Sequence, residues 1–255
     1  MATPAVSANR GGRAVAISAH RGGCETAAPG TYDAYRSALA AGADLLEFDV
    51  RRTADGELVA FHDAELGRGR RGRPVGSLRY ADLCQLADYE VPKVAEILRL
   101  LSGRAGAHID LKERDCLVAV TTKALELLKP ERIVVTTGDE AAIRELRQRF
   151  PAVHAGLTIS GDVAQTVRYL TRRARGRISS RVDAVTTVKA DWAVVQERLA
   201  AAGALTECRS RGLATMVWTV NDDVALARWL SSSDVDVVIT DRPRRALELR
   251  SRLSE

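Results

Sequence analysis

The sequence predicts an α/β protein, a (β/α)8 TIM barrel in a single domain. Three observations lead there. Short β-branched runs alternate with longer amphipathic stretches, eight of each. The length, 255 residues, suits one barrel. Polar residues also interrupt the apolar runs close to where strands would end, and barrels gather their functional side chains there.

The strand-like runs fall at 15–18, 45–50, 107–111, 133–136, 153–159, 182–187, 215–219 and 235–240. Helix-like segments fall near 31–41, 93–102, 115–128, 139–149, 162–174, 191–210, 222–231 and 243–253. Ala141-Ile143-Leu146 and Val194-Val195-Leu199 show helical spacing. Pro243 stands where the last helix begins, a position that suits its fixed backbone angle. An open doubly wound sheet is the competing arrangement. The glycine-rich phosphate loop such a sheet would carry follows none of the strands. Residues 1–13 read as a disordered leader, and 14–255 as the barrel domain.

The composition narrows the function classes. Hydrophobic residues make up 46% of the chain but aromatics only 4%, so Leu, Val, Ile and Ala must fill the interior. The net charge is +5, yet the arginines are scattered among acids, with no stripe or aromatic platform. Steering of an anionic small molecule is therefore expected, and nucleic acid is not. The dense patch 68–73 (RGRRGR) reads as a solvated loop. Cys24, Cys84, Cys116 and Cys208 form no CxxC pair, and no apolar signal segment stands near Met1. Reduced thiols in a cytoplasmic protein are expected. No run approaches the roughly 18 apolar residues of a membrane span, so no stable membrane insertion is expected. The oligomeric state cannot be read.

The candidate chemistry lies at the strand ends. Glu47 and Asp49 sit two residues apart in the apolar run LLEFDV, so both point to one side of the strand. Asp110, in HIDLK, adds a third carboxylate. Three convergent oxygens suit a hard divalent cation, Mg²⁺ or Ca²⁺. The competing account is a salt-bridge network with arginines. His20 and His62 follow apolar runs and are placed to divide acid and base duties. His108 and His154 read as structural, with His108 deeper in the barrel. The Arg21 guanidinium matches phosphate oxygens bidentately, and Lys112 can neutralise a phosphoryl group. Trp218 reads equally as core packing or as a flat wall against substrate. Asn221 and Asp222 read as caps of the following helix.

These residues resemble the glycerophosphodiester phosphodiesterase family. The resemblance runs through HRGG at 20–23, GADLLEFDVRRTADGELVAFHD at 42–63, VPKVAEIL at 91–98, HIDLK at 108–112, VWTVND at 217–222 and VDVVITDRP at 235–243. It implies a metal held by Glu47, Asp49 and Asp110, with His20 and His62 as the acid–base pair and Arg21 and Lys112 on the phosphate. It further implies cleavage of a small glycerophosphodiester to glycerol 3-phosphate and an alcohol, through attack by the substrate's own hydroxyl. The chain departs from the family at two points. The family's PENT segment is replaced by Ala28-Pro29-Gly30-Thr31, with Glu25 a candidate for the lost acid. The third ligand, usually Glu, is Asp110, so the metal would move inward or accept a bridging water.

Two other functions remain open on the sequence. A phospholipase D-like lyase would stop at the cyclic phosphate. A catalytically weak phosphate-ligand binder is suggested by the altered PENT segment, although a binder has no need of two histidines.

Overall fold

The computed structural model describes residues 14–67, 72–161 and 172–253. The expected leader, most of the basic loop and the first part of the expected helix at 162–174 lie outside the described residues. Strands β1 (Ala16–Ala19), β2 (Leu45–Arg52), β3 (Leu58–Ala60), β4 (Glu65–Leu66), β5 (Arg73–Pro74), β6 (Gly106–Leu111), β7 (Ile133–Thr137), β8 (His154–Ile159), β9 (Trp192–Gln196), β10 (Ala214–Trp218) and β11 (Val237–Thr240) follow in chain order. Eight of them, β1, β2 and β6 to β11, pair in parallel. Because β1 bonds to both β2 and β11, the sheet closes on itself. This is the expected barrel.

The pleat sorts each strand's residues into two environments. On β2, Leu46, Phe48 and Val50 face the layer between sheet and helices, whereas Leu45 joins the core inside the barrel. By alternation Glu47 and Asp49 share the side of Leu45. The inner core continues through Val134, Trp192, Val194, Met216, Val237 and Ile239. Trp192 is large for such an interior, and Gly156 on neighbouring β8 makes room for it. A Cβ at Gly156 would lie 2.9 Å from Thr136 and 3.0 Å from Val194.

The sixth barrel strand is not where β-branched composition places it. Residues 182–187 belong to the helix Arg172–Thr187, and the strand is Trp192–Gln196. Val182, Val185 and Val188 are buried at three-residue intervals while Asp183, Thr186 and Thr187 are exposed, which is a helical pattern. Residues 192–195 are buried without interruption, as befits a strand covered on both faces. The pair Val194-Val195 therefore belongs to that strand, and the helical stretch begins only at Glu197.

A small lobe is inserted between β2 and β6. It holds β3, antiparallel to β2, the β4–β5 hairpin and a further helix, Tyr80–Ala87, around a core of Val59, Val75, Leu78, Leu83 and Val91. The last helix, Pro243–Leu253, starts at the proline as expected. Glu25 does not stand in for an acid of the site. Its two oxygens accept from the backbone N–H groups of Arg244 (2.8 Å) and Arg245 (3.1 Å), capping this helix.

Substituting Gly156→Val forces two methyl groups into a filled interior. A loss of roughly 1–3 kcal/mol is expected, from the usual cost of overpacking, read as a lower urea midpoint with unchanged slope.

Candidate active site

The site begins at the end of β1. His20, Arg21 and Gly22 form a tight turn in which Arg21 takes a left-handed backbone (φ 50°). A non-glycine residue held there is strained. The Arg21 N–H donates to Glu47 Oε2 at 2.8 Å, which ties the turn to β2. The next residue must be glycine, since a Cβ at Gly22 would lie 2.7 Å from the backbone of Ala34 and Tyr35. The helix Tyr32–Ala41 therefore packs directly on the turn, and Thr31 caps its first turn through Ala34 N–H.

Glu47, Asp49 and Asp110 meet at the barrel mouth with one carboxylate oxygen of each within 4.8 Å of the others. Glu47 and Asp49 are buried, at 4% and 3% exposure. The cations expected to contact phosphate stand directly against these acids. Lys112 Nζ lies 2.9 Å from Asp49 and 2.5 Å from Asp110, and Arg21 Nε lies 3.1 Å from Asp49. Thr136 donates to Asp110 at 3.0 Å. Among the described residues Glu47 receives only the Arg21 N–H, and its pKa is pushed up to about 8, chiefly by burial and then by the charge of Asp49. Burial draws Lys112 down, but the charges of Asp110 and Asp49 outweigh it and the ammonium is stabilised.

A buried carboxylate set with one member this reluctant to ionise fits a hard divalent cation, which would supply the missing positive charge. A second set, Glu113, Asp115 and Cys116, is also close enough to share an ion. Its acids pair with Arg51 and Arg52 and stand outside the main cavity.

His20 and His62 both line the cavity above the acids, which has a volume of about 530 Å³. Each is held through Nδ1 by a carboxylate. His20 meets Asp241 at 2.6 Å and His62 meets Asp63 at 2.7 Å. An ionised carboxylate accepts, so Nδ1 carries the hydrogen and Nε2 is left for chemistry. Burial draws the His20 pKa down, but the Glu47 charge and the hydrogen bond to Asp241 outweigh it, and the value is raised. Asp241 is held in turn by Asn221, whose amide donates to it at 2.6 Å and whose carbonyl accepts its backbone N–H at 2.9 Å. Asn221 therefore positions an acid rather than capping a helix. Asp222 is the cap, accepting from Val224 and Ala225.

The remaining expectations also find their places. His108 is buried, bonded to Ser18 at 2.9 Å and to Thr136 at 3.1 Å, with burial lowering its pKa to about 3. Both ring nitrogens are occupied, which suits a structural residue. His154 lies at the opposite end of β8, near Asp191. Trp218 packs against the inner core, its indole donates to Val194 O at 3.2 Å, and it lines the cavity. Asp241, Asp63 and Thr136 were not singled out from the sequence, and Asn221 was read there only as a helix cap. Asp241 follows the last strand as His20 follows the first, so the strand-end rule reaches it.

A parallel barrel that brings acids, paired histidines and cations to its C-terminal mouth has the arrangement of an enzyme of the barrel class. The chain belongs to the glycerophosphoryl diester phosphodiesterase family, whose model matches residues 20–102 and 102–245. It is 22% identical over 250 residues to a glycerophosphodiester phosphodiesterase of Caldanaerobacter subterraneus subsp. tengcongensis, covering 91% of this chain and 96% of that one. The glycerophosphodiester phosphodiesterase structure from Thermotoga maritima superposes with a TM-score of 0.75 at 24% identity, over 94% of this chain and 100% of that one. An Oleispira antarctica phosphodiesterase in complex with the product sn-glycerol-3-phosphate superposes with a TM-score of 0.70 at 18% identity, over 95% and 98%.

The acid set yields a test that needs no turnover. A carboxyl whose folded pKa is raised contributes stability that is complete below 4.5 and is lost as pH rises through about 8. A cation that binds the ionised form restores it, so Mg²⁺ or Ca²⁺ should raise Tm more at pH 8 than at pH 5. At a hundredfold excess over Kd the gain is about 2.7 kcal/mol, or roughly 5–10 °C for a chain of this size. Glu47→Gln should remove most of that shift in a thermal melt.

Proposed function

We propose that this chain hydrolyses a small glycerophosphodiester to glycerol 3-phosphate and an alcohol, with His20 and His62 as its acid–base pair. The observation that carries the reading is the pairing of two histidines, each oriented by a carboxylate on Nδ1, over a cavity floored by three acids. Glu47, Asp49 and Asp110 would hold a divalent cation, Mg²⁺ or Ca²⁺. When bound there the ion would neutralise charge on the phosphate's non-bridging oxygens. Arg21, whose Nε stands against Asp49, would present its guanidinium to the phosphate as a bidentate donor. Lys112, held by two acids, contributes charge from the rim.

In the first step His20 Nε2 takes the proton of the substrate's neighbouring hydroxyl, whose oxygen forms a new bond to phosphorus. The bond to the alcohol oxygen breaks, and that oxygen takes a proton from His62. Water then opens the cyclic phosphate with the two histidines exchanging roles. Trp218 forms part of the cavity wall. All four cysteines are free, which supports a reducing, cytoplasmic setting. No helix among the described residues is long and apolar enough to cross a membrane.

Phosphorus NMR of a glycerophosphodiester incubated with protein and either ion tests the reaction. Glycerol 3-phosphate as the final product supports the reading, whereas accumulation of a cyclic phosphate would make the chain a lyase. His20→Ala and His62→Ala should each lower kcat on the order of 10²-fold or more while retaining the ion-dependent thermal shift. Near-parental turnover in either variant would remove that histidine from the mechanism.

A further inference from the structure

His62 lines the cavity from a loop rather than from a barrel strand. It follows β3, and the carboxylate that holds its Nδ1 belongs to the next residue, Asp63. Both side chains are exposed. An exposed pair between chain neighbours adds little order and moves with its own loop. It fixes the ring relative to the loop, but not the loop relative to the barrel.

Backbone bonds pin the loop on either side. The Phe61 N–H donates to Asp49 O at 3.0 Å, and the Val75 N–H donates to Ala64 O at 2.9 Å. Arg51 reaches His62 between them. It lies two residues beyond Asp49 on β2, on the same side of the strand, with a side chain only 10% exposed. Its Nε and Nη2 donate to the His62 carbonyl at 3.1 and 2.9 Å, and its Nη1 donates to Glu113 Oε1 at 2.6 Å. Glu113 directly follows Lys112, and its other oxygen accepts from the Cys116 thiol at 3.8 Å. One planar group therefore joins the end of β2, the main chain of His62 and the loop after β6. A fork bonded to a carbonyl on one edge and a carboxylate on the other fixes direction as well as distance, which a lysine ammonium does not. A displacement of about 1 Å at a reacting group costs on the order of 10²-fold in rate, so a brace at this point bears on chemistry.

We infer that Arg51, oriented by Glu113, is a positioning residue for His62: it holds the imidazole at the distance from the phosphate that proton transfer requires. The inference rests on the proposed phosphodiesterase reading. There His62 gives its proton to the leaving oxygen and then serves as base when water opens the cyclic phosphate.

The test uses the full chain with Mg²⁺ or Ca²⁺ and compares the parent, Arg51→Met and Arg51→Lys on two glycerophosphodiesters that differ in the departing alcohol. Ethanol leaves as a strongly basic alkoxide and needs a proton, whereas p-nitrophenol leaves as a stable anion and needs none. In a single turnover Arg51→Met should release ethanol roughly 10- to 100-fold more slowly and p-nitrophenol within about threefold of the parent. Phosphorus NMR should show the cyclic phosphate accumulating from the aryl diester, because its opening needs His62 again. Arg51→Lys keeps a positive charge opposite Glu113 without the fork, and should show the same selectivity by a smaller factor. A merely structural role for Arg51 would slow both diesters together. That outcome, or no loss on either diester, overturns the inference. If the parent cleaves neither diester, the catalytic reading falls by itself, and amide relaxation decides the brace. The order parameter of His62 should then fall from about 0.85 to below about 0.6 in Arg51→Met with His20 unchanged. An unchanged His62 overturns the brace as well.

Discussion

The site depends on holding three carboxylates within 4.8 Å of one another in a largely buried place. Like charges at that separation and low dielectric repel strongly. The surrounding structure answers with positive groups delivered from different elements. Lys112 comes just beyond the end of β6, the Arg21 guanidinium from the turn after β1, and the Arg21 N–H from the backbone of the same turn. The left-handed conformation of Arg21 is part of that answer, since it brings both its N–H and its side chain to the acids. Even so, Glu47 remains above the ordinary carboxylate range. The balance is short of one positive charge, and a divalent cation would complete it.

The two histidines are matched in their hydrogen bonding and unlike in their setting. His20 sits on the rigid barrel, 19% exposed, with its Asp241 fixed twice by Asn221. His62 belongs to the inserted lobe and is 44% exposed. It is anchored instead by its own carbonyl, which accepts from Arg51 Nε at 3.1 Å and from the same guanidinium again at 2.9 Å. Arg51 is in turn paired with Glu113. One residue is therefore placed by the barrel's closure and the other by a lobe hung on β2.

Much of this was legible in the sequence for one reason. An apolar strand interrupted by acids must turn those acids toward something that compensates them, and Glu47, Asp49 and Asp110 announced themselves in this way. Where the signal was composition rather than periodicity, it misled. Residues 182–187 are rich in β-branched side chains, but their helix shows those threonines to solvent, and Thr187 bonds back to the Asp183 carbonyl at 2.8 Å. Trp192–Gln196, buried on both faces, carries no alternation to mark it as a strand. The helix Tyr80–Ala87 and the roles of Glu25 and Asn221 were hidden for another reason. Each is set by a partner distant in sequence, as when Glu25 caps a helix that starts more than two hundred residues later.

The barrel's register sets the relative heights of the three acids. Asp49 on β2 and Asp110 on β6 are direct partners across the parallel ladder, so their carboxylates start from the same height. Glu47 lies two residues earlier, opposite His108, about 6.6 Å lower along the strand by the ordinary rise. One of its oxygens nevertheless lies within 4.8 Å of an oxygen of each aspartate, and the Arg21 N–H holds Oε2. Asp110 brings an oxygen within 4.8 Å of Glu47 and Asp49 despite its shorter side chain. It stands level with Asp49, steadied by Thr136 on one oxygen and Lys112 on the other.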